Sequence, residues 1–277
     1  MKQIMVIAQK EVTDGTRNRW ILIVTALMTG LALVLTLLGS APTGATKISS
    51  LAVTIVSLSS LSIFFVPLIA LLLSYDAVVA EEDRGTLLLL LSYPVARWQV
   101  IVGKFCGHFI LLSSSIVIGF GIAGLVIVLS SDQAVEDQAW AGFAMLIGSS
   151  ILLGAIFLAL GLATSAFVRE RGTAAGAAIG IWLLFVLIYD LGLIGLLASS
   201  AGQMLNDMLI TGLLLANPTD VYRMLNLTGS AEAAALSAMT GLTGSGSVSP
   251  QTLTALLCLW IVGPLMAACV LFERRRL

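Results

Sequence analysis

Six apolar stretches, each about the length of a bilayer crossing, divide this chain and leave it little else to fold around. A helix spanning a hydrocarbon core of ~30 Å needs about 20 mostly apolar residues, and its backbone polar groups must be satisfied within the segment. The stretches lie near residues 20–39, 53–75, 105–129, 142–165, 173–197 and 252–272. With 58% hydrophobic and 10% charged residues over 277 positions, a soluble fold could not bury six such runs around one core. The reading is an all-α integral membrane protein with six transmembrane helices in a single transmembrane domain, 1–277. The first run is too long for the apolar part of a signal peptide and lacks a small-residue cleavage site, so it is expected to be retained.

Positive charge sets the orientation. Lys and Arg resist translocation and accumulate in cytoplasmic segments. With both termini inside, Lys2, Lys10, Arg17, Arg19, Arg84, Arg97, Lys104, Arg169, Arg171, Arg274, Arg275 and Arg276 are all cytoplasmic, leaving only Lys47 and Arg223 outside. The net charge of −1 gives no sign of nucleic-acid binding. Cys106, Cys258 and Cys269 fall within spans and form no CxxC, which suggests packing rather than a disulfide or a thiolate metal site.

Residues 1–18 are too polar to span. Ile4, Ile7, Ala8, Glu11 and Val12 recur at helical spacing, which predicts an amphipathic interfacial helix. The segment 76–104 carries more information. Leu87–Leu91 is apolar enough for a membrane, but Arg84 and Arg97 bracket it too closely for a crossing. Such a block at the cytoplasmic surface must cover itself with interfacial lipid or with another protein. Gly85-Thr86 can break and restart a helix, with the threonine hydroxyl as a cap, and Pro94 enforces a turn.

Glu81-Glu82-Asp83-Arg84-Gly85-Thr86, a leucine run and Ser92-Tyr93-Pro94-Val95-Ala96-Arg97 together resemble the loop between spans two and three of ABC-2-type transporter permeases. The resemblance extends over the whole chain, which is similar to the permeases of that family serving copper-centre maturation of nitrous oxide reductase. It implies an ABC-2-type permease half-channel that works as a homodimer. It also implies a cytoplasmic ABC ATPase subunit, which would hold the ATP and Mg, and a periplasmic partner protein. In that family the loop 76–104 would supply a coupling helix, placing Glu81, Glu82, Arg84, Gly85, Thr86, Pro94 and Arg97 at the ATPase contact. The second inner loop brings Arg169 and Arg171, as a further contact or as a solvated turn. The chain has no GxxxxGK[ST], and Phe105 follows Gly103-Lys104, so it has no P-loop of its own and is expected to be non-catalytic with no cofactor bound.

The segment 198–251 is long and poor in charge. Gln203–Leu215 places Met204, Leu205, Met208, Leu209 and Leu213 at helical spacing. Asn217-Pro218 would end that helix, and Thr219-Asp220 would cap another running through Leu227. By resemblance these form a periplasmic cap above the dimer, with Met204, Met208, Asp220 and Arg223 as partner contacts. Thioethers are soft ligands for Cu(I), but no His or Cys accompanies Met204, Met208, Met224 and Met239, so no metal site is assigned.

Asp190 is the one carboxylate well within a span, either facing a cavity or marking a break through Gly192 and Gly195. His108 reads as an interfacial structural residue. Small residues from Gly172 to Gly180 suggest that span five faces the dimer partner, and Gly119, Gly121 and Gly124 suggest close packing along span three. Serines 57–62 and 113–115 either line a polar path or bond back to their own helices. The alternative function, a secondary transporter without an ATPase partner, would normally show intramembrane coupling charges and an internal repeat, and only Asp190 fits. An intramembrane enzyme is disfavoured by the absence of HExxH and of a Ser/His pair.

Overall fold

The computed structural model describes residues 2–17, 19–38, 50–130, 137–199, 205–228 and 248–275. Helix α1 (Lys2–Arg17) meets α2 (Trp20–Leu38) at a bend of 70°, where Arg19 takes a left-handed φ of 54°. Next come α3 (Ser50–Ser74), the short α4 (Val79–Asp83) and α5 (Thr86–Leu91), and the long α6 (Arg97–Ser130) and α7 (Asp137–Phe167). Helix α8 (Arg171–Leu183) continues through a π-helical turn, Leu184–Ile188, into α9 (Tyr189–Ala198). Beyond these lie α10 (Asp207–Leu215), α11 (Pro218–Thr228) and α12 (Pro250–Arg274). No strand occurs among the described residues.

Five helical runs in the described residues are long and apolar enough to cross a membrane: Thr54–Asp83, Arg97–Leu129, Trp140–Phe167, Arg171–Ala198 and Pro250–Arg274. The bent pair α1–α2 makes a sixth when counted as one span. The molecule is thus an all-α, multi-pass membrane protein. Its helices overrun the apolar limits read from sequence, most at α6, which begins at Arg97 rather than near 105, because polar end turns continue the backbone ladder outside the hydrocarbon.

Helix α7 is the axis of the bundle. It packs against α3, α6 and α12, and Leu153, Ile156, Phe157 and Leu158 are fully buried. Helix α6 carries α1 and α2 along one side, and three glycines make that approach possible. A Cβ on Gly103 would lie 2.7 Å from Ile7 Cβ, one on Gly107 would lie 2.5 Å from Glu11 Cβ, and one on Gly119 would lie 3.0 Å from Met28 Cβ. Backbones this close gain contact along their whole length, as small-residue interfaces do in membranes. Of the glycines expected to pack in span three, Gly119 meets α2 and Gly124 meets Phe143, whereas Gly121 faces open space. The run α8–α9 is the least covered: only 6% of its most apolar window is buried, and Gly172, Gly176 and Gly180 have no neighbour within 4 Å of a notional Cβ.

In the segment after α9, the described helix α11 is buried rather than lying at the surface. Helix α11 enters the bundle between α3, α7 and α12, and Val221, Tyr222, Leu225 and Asn226 are buried. Of the serines expected to line a path or bond back locally, Ser60, Ser62, Ser114 and Ser115 bond to carbonyls of their own helices. On α7, Ser149 and Ser150, which the sequence did not single out, also bond Asn226 and Tyr222 of α11, at 3.0 Å each. An amphipathic helix whose polar side finds hydroxyls in the bundle can be buried there as readily as it lies at the surface.

Candidate coupling site

The segment 76–104 is a bracket whose entry and exit are tied to neighbouring helices, while α5 between them is anchored by the buried Leu87. Its entry is held by α7: Ser165 Oγ accepts from the backbone N–H groups of Val78 (2.9 Å) and Val79 (3.3 Å), satisfying donors that the start of α4 leaves open. Arg171 Nη2, at the start of α8, bonds Asp76 Oδ2 at 2.6 Å and so clamps the second inner loop to the first. Between α4 and α5 the chain turns at Gly85, whose φ of 70° is a left-handed conformation that favours glycine. Thr86 does not cap α5 as the sequence suggested. It is the first helical residue, Gly85 occupies the cap position, and the Thr86 hydroxyl donates back to the Glu81 carbonyl at 3.2 Å.

Below α4 lies a buried charge cluster. Lys104 Nζ stands 2.9 Å from Glu11 Oε1 and 2.8 Å from Glu81 Oε1, and its side chain is 1% exposed. Lys10 Nζ reaches the same two oxygens, at 3.1 Å and 2.6 Å, and His108 Nε2 lies 3.4 Å from Glu11 Oε2. Two lysines thus face two glutamates, joining α1, α4 and α6. Burial raises the Glu11 pKa, but the His108 hydrogen bond and the charges of Lys104, His108 and Lys10 outweigh it and hold the carboxyl below the usual range. Burial likewise depresses the Lys10 ammonium, and the Glu11 and Glu81 carboxylates more than reverse it, pushing its pKa up.

A second set of ties binds the exit of the bracket to the end of α12. Arg97 Nη1 donates to the carbonyls of Phe272 (3.1 Å), Glu273 (3.2 Å) and Arg275 (2.6 Å), closing the open end of that helix. Arg275 pairs with Glu82 and donates to the carbonyls of Ser165 (2.8 Å) and Ala166 (2.9 Å). Gln3 Nε2 bonds the Pro94 carbonyl at 2.7 Å.

These ties divide the sequence-predicted residues into two groups. Glu81, Glu82 and Arg97 are engaged with other parts of the chain. Each stands within reach of an opposite charge or an open helix end. Arg84, Gly85, Thr86, Pro94, Arg169 and Arg171 are exposed, although Arg84 also bonds the Ala80 carbonyl. Beside them Leu88, Leu89 and Tyr93 are 63%, 65% and 64% exposed, whereas Leu87 is fully buried. A short helix with one leucine anchored and two presented is a small, stiff, apolar knob.

Sequence reasoning missed Lys10, Glu11 and Lys104 as a unit. A signal was present: Glu11 falls on the apolar stripe of α1, and a carboxylate there requires a buried cation. The Gly103-Gly107 pair that lets α1 approach Lys104 is a small-xxx-small pattern.

At the opposite end of the bundle, α11 is tied to the α8–α9 run. The π-helical turn leaves the Phe185 carbonyl free to accept from Asn217 Nδ2 and Thr219 Oγ1, both at 3.1 Å. Arg223 bridges Asp190 Oδ2 and Asp220 Oδ1, at 2.7 Å each. Asp190 therefore faces Arg223 rather than an open cavity, and the helix continues through Gly192 and Gly195 instead of breaking. Asp220 is buried and Arg223 is engaged with both carboxylates. Asn217, not Thr219 or Asp220, starts α11, its Oδ1 accepting from the Thr219 N–H at 3.2 Å. Asn206 caps α10, so that helix begins later than expected. Met208 on it is 83% exposed, Met224 is buried, and Met204 and Met239 lie outside the described residues. Among the described residues no group of three His, Cys, Asp or Glu could hold a metal ion.

Comparison with known proteins agrees with this architecture. Residues 5–277 match the model of the ABC-2 family transporter protein. The chain is 44% identical over 275 residues to a protein described as a probable ABC transporter permease protein NosY from Pseudomonas aeruginosa, covering 99% of each chain. It is 43% identical over 275 residues to the protein of the same description from Stutzerimonas stutzeri, again covering 99% of each. A multi-pass helical bundle with a bracketed loop after its second span, matched along nearly its full length, places the chain in the ABC-2 family of transporter proteins as a permease subunit.

Proposed function

We propose that this permease subunit couples ATP hydrolysis on a separate cytoplasmic subunit, NosF-like in kind, to a conformational change at the periplasmic side. The process served would be copper-centre maturation of nitrous oxide reductase. The observation that carries the coupling role is the bracket 76–104: Leu88 and Leu89 stand exposed on a short helix whose flanking segments are held by five separate ties. A motor that pushes on a stiff knob moves the spans, whereas one that pushes on a loose loop moves only the loop. The docking surface would comprise Arg84, Thr86, Leu88, Leu89, Pro94 and Arg169.

The positive charges support an orientation with residues 2–17 and 272–275 on the cytoplasmic side of the bacterial inner membrane. The uncovered α8–α9 run, with its open glycine face, is the surface we assign to a homodimer. Helix α11 fills the polar middle of the bundle with Tyr222 and Asn226, which favours transmission of motion over passage of a hydrophilic substrate. A NosD-like periplasmic partner would then meet α10, where Met208 is presented. The secondary-transporter reading loses its main support, because Asp190 is already paired with Arg223.

The test is affinity purification of the tagged chain in mild detergent, as wild type and as Leu88→Asp/Leu89→Asp. Both substituted side chains are exposed, so folding should hold. A P-loop ATPase should co-purify with the wild type and fall at least about tenfold with the variant, since burying one unpaired carboxylate at an interface costs a few kcal/mol. Equal recovery from both would refute the assignment.

A further inference from the structure

We infer an anionic lipid site at the joint between the ends of α7 and α12, on the same side of the membrane as α1. A cavity of about 280 Å³ opens there, lined by Ala166, Phe167, Arg169, Leu271, Arg274 and Arg275. Three guanidiniums and no carboxylate line it. Glu82 neutralises one of them from outside the lining, so the cleft keeps a surplus of positive charge.

Arg275 is the built part of the site. Its side chain is 4% exposed, its Nη1 is held by the carbonyls of Ser165 and Ala166, and its Nε has no hydrogen-bond partner. A buried guanidinium with an unmet donor is an unfinished anion site. Arg169 and Arg274 are exposed and able to close on an oxygen-bearing anion from either side.

What favours a lipid over a free anion is the surface leading into the cleft. On α12, Val262, Met266 and Val270 are 54%, 60% and 42% exposed, and Arg274 follows at the same four-residue spacing. Residues four apart share a helix face. An apolar strip therefore descends the span and ends in a cation, with Phe167 of α7, 72% exposed, beside it. An acyl chain lying on the strip would bring its phosphodiester to the three arginines. Basic pockets at the cytoplasmic ends of spans are suited to such headgroups. Because Arg275 also ties α7 to α4 through Glu82, an occupied site would brace the bracket from behind.

The cleft shares Arg169 with the docking surface, so its test turns on Arg274, which takes no part in docking. The full chain with its ATPase subunit is purified in mild detergent and delipidated. It is then titrated with phosphatidylglycerol, phosphatidylcholine or inorganic phosphate, reading bound lipid by native mass spectrometry and stability by thermal midpoint. Wild type should retain phosphatidylglycerol over phosphatidylcholine and gain stability from it alone. Arg274→Gln should lower that retention about fivefold, and Arg274→Lys should keep most of it. Undiminished retention in Arg274→Gln would overturn the site, as would equal retention of both lipids by wild type. Stabilisation by inorganic phosphate alone would make it a free-anion site, and loss of the ATPase subunit from Arg274→Gln with lipid unchanged would make it a protein contact. Either result overturns the lipid assignment.

Discussion

Lys104 stands at 1% side-chain exposure with Glu11 and Glu81 both within 2.9 Å of its Nζ, and Lys10 reaches the same two carboxylate oxygens. Removing one member of such a set leaves an uncompensated buried charge, a loss of about 3–5 kcal/mol, which exceeds the ~0–1 kcal/mol of a surface pair. Lys104→Met should therefore lower the thermal midpoint of the purified protein sharply. Lys104→Met/Glu81→Gln should recover part of that loss, because one of the two stranded carboxylates is gone. A Lys104→Met variant as stable as wild type would mean that the cluster does not hold the bracket. Glu81 stood out in its acidic sequence context, but its partners did not. Lys10, Glu11 and Lys104 are up to 94 positions apart in sequence, and only the docking of α1 on α6 brings them together. The same limit applied to Arg97, whose partners are backbone carbonyls that no side-chain pattern can announce.

Among the elements, the apolar spans were legible because length and hydropathy alone decide them. The interfacial helix was legible because a stripe recurs every three to four residues. What escaped was contact between elements. Gly103-Lys104 invited comparison with a phosphate loop, while the feature that matters is Gly103 with Gly107, a flat track for α1. Helix α11 was expected in a surface cap by resemblance, and its burial depends on hydroxyls of α7 that its own sequence does not reveal. The π-helical turn likewise left no mark in composition, although it supplies the Phe185 carbonyl that receives α11. The α1–α6 contact gives a direct test. A Cβ at Gly107 would lie 2.5 Å from Glu11 Cβ and 2.9 Å from the Ala8 carbonyl oxygen, so even Gly107→Ala requires α1 to shift. Overpacking of this kind costs about 1–3 kcal/mol. Gly107→Ala should raise amide hydrogen exchange across residues 5–15 several-fold while leaving α7 unchanged, and Gly121→Ala, at a site facing open space, should do neither.

For the whole molecule, both ends of the bundle are tied to the spans that would move. At one end the bracket joins α1, α4, α6, α7, α8 and α12. At the other, the Phe185 carbonyl joins α11 to the π-helical turn and Arg223 joins it to Asp190 of α9. A push on α5 therefore has a continuous packed route through α7 to α11, and α7 is the most thoroughly buried helix along that route. The central claim is that Leu88 and Leu89 form the knob the motor subunit grips from the side carrying α1. It is tested most directly with Leu89→Cys in a background where Cys106, Cys258 and Cys269 are changed to serine. Inverted membrane vesicles that hold the whole complex are then treated with a membrane-impermeant thiol cross-linker. The account predicts an adduct between position 89 and the ATPase subunit in inverted vesicles and none in right-side-out vesicles. Labelling of the introduced thiol only from the outer face, or an accessible thiol at position 89 that never joins the ATPase subunit, would contradict it.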